Sequence, residues 1–237
     1  MYGYIYDIFV SQKKYERELI RIENSITDLG MQGNTIRLSL ISNVGHAIED
    51  LLSRGVRTIV AVGSDQLLSK IADYADLLQN VTVAIIPLGS HHLLADLFGV
   101  PYGAESCRIL SARMVKHIRL GRINRCYFIH SVVVQDSRTR VRCDDQFVAK
   151  ATSEDALISI LKTHEPEEES LPLEEQKLSV FLTPATKKTF LRKALPVTST
   201  FIRCQLAEIT EPSHLLLVVD GQKQLKTPAV MHVSPTM

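Results

Sequence analysis

Two short stretches, Thr58-Ile59-Val60-Ala61-Val62 and Thr82-Val83-Ala84-Ile85-Ile86, are apolar after the first residue and rich in β-branched side chains. A strand with no polar face must be covered on both sides, which restricts it to the interior of a sheet packed between helices. Each stretch runs into a glycine-containing turn, Gly63-Ser64-Asp65-Gln66 and Pro87-Leu88-Gly89-Ser90. Each turn opens a helical pattern, over residues 67–78 and 91–98. Upstream, residues 2–10 read as a strand. Residues 14–29 carry Leu19, Ile20, Ile22, Ile26 and Leu29 at helical spacing before Gly30. A strand at 35–41, the turn Asn43-Val44-Gly45-His46, a helix carrying Ile48, Leu51 and Leu52, and a last helix at 104–115 complete the alternation. Strands alternating with helices predict parallel βαβ units. Residues 1–120 are therefore expected to form a doubly wound α/β domain with a mostly parallel sheet.

The second half follows another rule. Residues 125–135, 139–143, 179–182, 201–208, 215–219 and 230–233 read as strands, separated by turns of Asp, Gly, Pro and Ser. Residues 153–162 read as a short helix, and the acidic, proline-containing 163–176 as a solvated loop. A smaller antiparallel, sandwich-like β-rich domain is expected over 121–237.

Composition narrows the function classes. With 45% hydrophobic and 22% charged residues, the chain can build a core, which excludes general disorder. A formal net charge of +1 lacks the basic excess of a nucleic-acid binder. A local basic run is nonetheless present: Arg108, Arg113, Lys116, His117, Arg119, Arg122 and Arg125. Cys107, Cys126, Cys143 and Cys204 form no C-x-x-C pair, so they read as reduced core thiols without metal-ligand spacing. The opening residues lack the basic segment of a signal peptide, and no stretch approaches the ~20 apolar residues of a membrane span. The expected compartment is cytoplasmic.

In an open parallel sheet, ligands bind where strands end and helices begin. Glycines there let the backbone approach a ligand, and amides at a helix start can hold phosphate oxygens. Asp65 could bind magnesium or a ribose hydroxyl, or cap the following helix. Ser90 reads as an N-cap. His91 and His92 are adjacent, so they make a poor metal pair and read as capping or solvated.

Val60-Ala61-Val62-Gly63-Ser64-Asp65-Gln66-Leu67 resembles the strand and Gly-Gly-Asp-Gly-Thr loop of diacylglycerol kinases, sphingosine-type lipid kinases and NAD kinases. Ile85-Ile86-Pro87-Leu88-Gly89-Ser90-His91-His92-Leu93-Leu94-Ala95, followed by Gly99-Val100-Pro101, is similar to the diacylglycerol kinase segment I-P-x-G-T-x-N-D-x-A…G-I-P. Leu120-Gly121-Arg122-Ile123-Asn124 and the later Val219-Asp220-Gly221 with Thr227-Pro228 resemble that family's second domain. The resemblance implies binding of ATP and magnesium at Gly63, Ser64, Asp65, Gly89, Ser90 and His92, with Asp65 serving the metal. It further implies transfer of the γ-phosphoryl group to a diacylglycerol-type lipid at a membrane surface. Lys13, Lys14 and Arg57 are candidate phosphate partners, against a reading as solvated cations.

The departures bear on chemistry. Ser64, Gln66 and Leu67 stand where the family has Gly, Gly and Thr; His92 and Leu93 stand where it has Asn and Asp. The early N-P-x-x-G turn and the D-D-G segment near the acceptor hydroxyl have no counterpart; Asp144-Asp145 lies elsewhere and lacks the glycine. No catalytic residue can be assigned. Leucines supply no oxygen to metal or phosphate, and a lost general base costs ~10²–10⁴-fold in rate. A second reading is therefore a non-catalytic pseudokinase, kept as a nucleotide-binding, dimerising or scaffold module. A third is an NAD-kinase-like enzyme.

Overall fold

The computed structural model describes residues 1–90, 92–134, 136, 139–150, 157–161, 177–183, 200–210 and 214–234. The chain divides into two compact units, Met1–His117 and Ile118–Met237.

The first unit runs β1 (Tyr2–Tyr6), α1 (Glu16–Asp28), β2 (Gly33–Arg37), α2 (Val44–Ser53), β3 (Thr58–Gly63), α3 (Asp65–Ala72), β4 (Thr82–Pro87), α4 (Leu93–Leu97) and α5 (Ser106–Ser111). Its four strands pair in the order β2-β1-β3-β4, and every pairing is parallel. Alternation along β1 explains the two helical layers. Tyr2, Tyr4 and Tyr6 join Val60, Val62, Leu19, Ile22, Ile26 and Cys107 in one core, so α1 and α5 cover that face. Gly3 faces the other way, where a methyl group would press on Leu51 of α2 at 2.9 Å. The apolar interiors of β3 and of the end of β4 are buried, as a doubly wound sheet requires.

The expected strand at 2–10 ends early. Asp7 turns the chain into a 3₁₀ segment, Ile8–Ser11, by accepting a hydrogen bond from the Ile8 amide at 2.8 Å. The predicted helix at 67–78 becomes α3 plus a 3₁₀ turn, and that at 104–115 becomes a 3₁₀ turn plus α5.

The second unit is antiparallel throughout. Its strands are β5 (Gly121–Ile123), β6 (Cys126–Phe128), β7 (Ser131–Val134), β8 (Arg140–Cys143), β9 (Phe147–Lys150), β10 (Leu157–Leu161), β11 (Leu178–Thr183), β12 (Thr200–Cys204), β13 (Leu206–Ile209), β14 (Leu216–Val219), β15 (Lys223–Lys226) and β16 (Ala229–Val233). They form two six-stranded sheets, β12-β11-β10-β7-β14-β15 and β6-β5-β16-β13-β8-β9. Inward residues of both sheets share one core, with Val132, Val180 and Leu217 from one and Ile123, Val141 and Met231 from the other. The unit is about as long as the first.

Three expectations here are corrected. The strand at 125–135 breaks into β6 and β7, because buried Asp220 captures the amides of Ile129, His130 and Ser131. The strand at 201–208 breaks at Gln205, where Asp144 accepts from the Gln205 and Leu206 amides and the chain passes between sheets. Residues 157–161, expected inside a short helix, are strand β10 between β7 and β11. The remainder of that expected helix and the acidic 163–176 lie outside the described residues. Among the described residues, no helix is long and apolar enough to cross a membrane.

Candidate functional site

The turns after β3 and β4 lie side by side. Gly63 pairs in register with Pro87, and the Leu88 amide donates to the Gly63 carbonyl at 2.8 Å. Sequence-distant motifs therefore meet at one sheet edge, the position where an open α/β sheet takes its ligand. Both glycines adopt positive φ, 152° at Gly63 and 98° at Gly89. Both also face a close neighbour. A methyl at Gly63 would run into Cβ of Asp7, and one at Gly89 would lie 3.0 Å from Cζ of Phe9.

Asp7 is the residue that sequence reasoning missed. It follows β1, and its amide bonds the Val62 carbonyl at 2.9 Å. Its Oδ2 accepts from the Ser64 hydroxyl at 2.7 Å and more loosely from the Ser64 amide at 3.5 Å. The amide at the start of α3, of the kind that could hold a phosphate oxygen, thus faces an internal carboxylate. Ser64 occupies the cap position of α3 but makes no side-chain cap bond, because its hydroxyl is engaged with Asp7.

Asp65 does cap a helix, but not the one it begins. Its side chain is 1% exposed, and Oδ2 accepts from the Leu94 amide at 2.7 Å, with the Ala95 amide also contributing. The carboxylate ties the β3 turn to the start of α4. Burial pushes its carboxyl above the usual carboxylate range; the two amides and the neighbouring His92 oppose that shift. Oδ1 is buried without a hydrogen-bond partner, and so is Nδ1 of His92.

His92 stands at the cap position of α4 with its ring 5.4 Å from that of Tyr102, and it makes no cap bond through its side chain. Ser90, expected to cap this helix, is exposed two residues ahead of that position. His91 lies outside the described residues. Leu67 is buried in the core, whereas Leu93 is exposed. Lys14 sits over the Tyr15 ring, its Nζ 4.7 Å from the centroid. Arg57 precedes β3, so roughly 20 Å of strand separates it from Gly63 and removes it from the turn. Asp144 and Asp145 have structural duties: the first accepts backbone amides, and the second pairs with Arg142 at 3.6 Å.

Magnesium keeps several waters and takes its remaining ligands as charged oxygens. Among the described residues no group of three His, Cys, Asp or Glu could hold a metal ion. Asp65 contributes one spare oxygen at a sealed position. Because magnesium is held by one or two carboxylates together with waters and substrate phosphates, the carboxylates of Asp65 and Asp7 are the donors the chain itself would offer at these turns.

No family model matches the chain, and no curated protein matches it either. Solved structures do. The chain is similar to a diacylglycerol kinase crystal structure from Bacillus anthracis strain Sterne, with 16% identity and a TM-score of 0.75, over 99% of this chain and 94% of that one. A structure described as a putative diacylglycerol kinase from the same strain gives 15% identity and a TM-score of 0.76, over 98% of this chain and 93% of that one. The chain has the two-domain diacylglycerol-kinase-like fold: a parallel α/β sheet followed by antiparallel β-sheets.

Proposed function

We propose that this chain is a non-catalytic protein with the lipid-kinase fold, whose phosphate-binding turn is closed by its own side chains. The observation that carries this reading is the Asp7 carboxylate against Ser64. Phosphoryl transfer rests on positioning and on neutralising the charge of the transferred group. A carboxylate at the turn adds negative charge where neutralisation is needed. The Phe9 ring occupies the side of Gly89 where a Cβ would stand. Leu67 and Leu93 offer no oxygen in place of the family's Thr and Asp.

The second reading is a working kinase that passes the γ-phosphoryl group of ATP to a diacylglycerol-type lipid. It is favoured by the likeness to diacylglycerol kinase structures along nearly the whole chain.

Thermal shift with millimolar ATP or ADP, with and without magnesium, tests the proposal alongside a phosphatidic-acid assay on diacylglycerol vesicles. A bound ligand raises the midpoint through RT ln(1 + [L]/Kd). The expected result is no shift and no product for the natural chain, and a nucleotide-dependent rise for Asp7→Ser. Product formation by the natural chain would establish the kinase reading instead. A shift equal in both proteins, without product, would make the chain a nucleotide sensor and show that Asp7 does not guard the turn.

A further inference from the structure

Between Glu105 and Asp136 the sequence has no acidic residue but six Lys or Arg: Arg108, Arg113, Lys116, Arg119, Arg122 and Arg125. Part of this run belongs to the first unit, where its conformation is defined. Helix α5 ends at Ser111, and Arg113 turns the chain with φ 50°, its guanidinium 5.9 Å from the centroid of the Tyr2 ring. Residues 112–117 are then exposed without interruption. The apolar members do not fold back onto the core: Met114 is 84% exposed and Val115 56%, with Ile109 of α5 also exposed. Cations and large apolar groups thus share one solvent-facing segment.

We infer that residues 108–117 form a docking site for an anionic lipid surface. Solvent exposure of Met114 and Val115 is unfavourable in water and becomes favourable when they enter the acyl boundary, while the neighbouring cations meet lipid phosphates and carboxylates. The chemistry of the apolar residues selects this partner over the other polyanion. Nucleic-acid surfaces interleave cations with aromatic rings that stack on bases, whereas Ile109, Met114 and Val115 cannot stack. The site does not depend on any nucleotide and stands whether or not the turn at Gly63 binds one.

Co-sedimentation of the full chain with phosphatidylcholine vesicles, with and without phosphatidylserine, tests the inference. Binding is expected only with phosphatidylserine and should weaken with added salt. Arg108→Gln should reduce binding roughly fivefold. Met114→Ser with Val115→Ser, which keeps every charge, should reduce it by on the order of tenfold. Unchanged thermal midpoints show that both variants fold. The inference is overturned by equal binding to both vesicle types, by no binding to phosphatidylserine vesicles at low salt, or by full binding of the Met114/Val115 variant. Competition by single-stranded RNA that survives the Met114/Val115 change would assign a nucleic-acid partner and overturn it as well.

Discussion

Replacing Asp65 in two ways separates its structural duty from a charge-dependent one. In Asp65→Ala, the Leu94 amide loses its acceptor inside the protein, and α4, only five residues long, loses the cap that His92 does not supply. An unsatisfied buried donor costs about 1–3 kcal/mol and a lost cap about 1. These describe the same bond, so the expected loss is about 2 kcal/mol. Asp65→Asn keeps an accepting oxygen and removes the charge that burial disfavours, so it should fall within about 1 kcal/mol of the natural chain. The pH dependence has a definite sign. Because the folded carboxyl titrates above its unfolded value, the folded state holds the proton more tightly. Stability from this group is greatest below the unfolded value and is lost as pH rises through the folded one. The advantage of the asparagine variant over the natural chain should therefore grow as pH rises above the ordinary carboxylate value of about 4. Urea unfolding followed by tyrosine emission measures this, since the chain has seven tyrosines and no tryptophan. If Asp65→Asn proves as damaging as Asp65→Ala at every pH, the negative charge itself is required and the capping argument fails.

Two further outcomes concern the second unit. Asp220→Ala strands the buried amides of Ile129, His130 and Ser131, so it should cost about 3–5 kcal/mol and lower the urea midpoint; an unchanged midpoint would show that the β6–β7 turn holds itself. Burial, and then Arg122, holds the His232 imidazole below its ordinary value. The unfolded chain therefore takes up this proton first, and stability should fall as pH drops through about 6.5. His232→Gln should flatten that part of the profile, and an unaltered slope would contradict the assignment.

Much of the first unit was legible because β3 and β4 advertise themselves: apolar, β-branched stretches running into glycine turns admit few architectures. Helix α1 was legible for the same kind of reason, although Ile20 on its pattern faces solvent. The second unit was harder because its breaks are set by remote carboxylates. Nothing near Ile129 announces that Asp220 will take its amide, and nothing near Gln205 points to Asp144. At the candidate site, the meeting of the two turns followed from topology. The neighbour that fills one of them did not. Asp7 sits in what reads as a strand, and the available signal was its own poor fit there, since aspartate is depleted in strands and favoured where a chain must turn.

That neighbour changes what a glycine-rich turn can be taken to mean. Gly63 and Gly89 are needed whatever approaches them, since positive φ and a crowded Cβ position exclude other residues equally well for a phosphate or for Asp7 and Phe9. The glycines therefore report close approach and say nothing of what approaches. Identity is carried by the charge of the partner group, which at Gly63 is an anion belonging to the chain itself. In this chain that group is the carboxylate of Asp7, 56 positions upstream of Gly63.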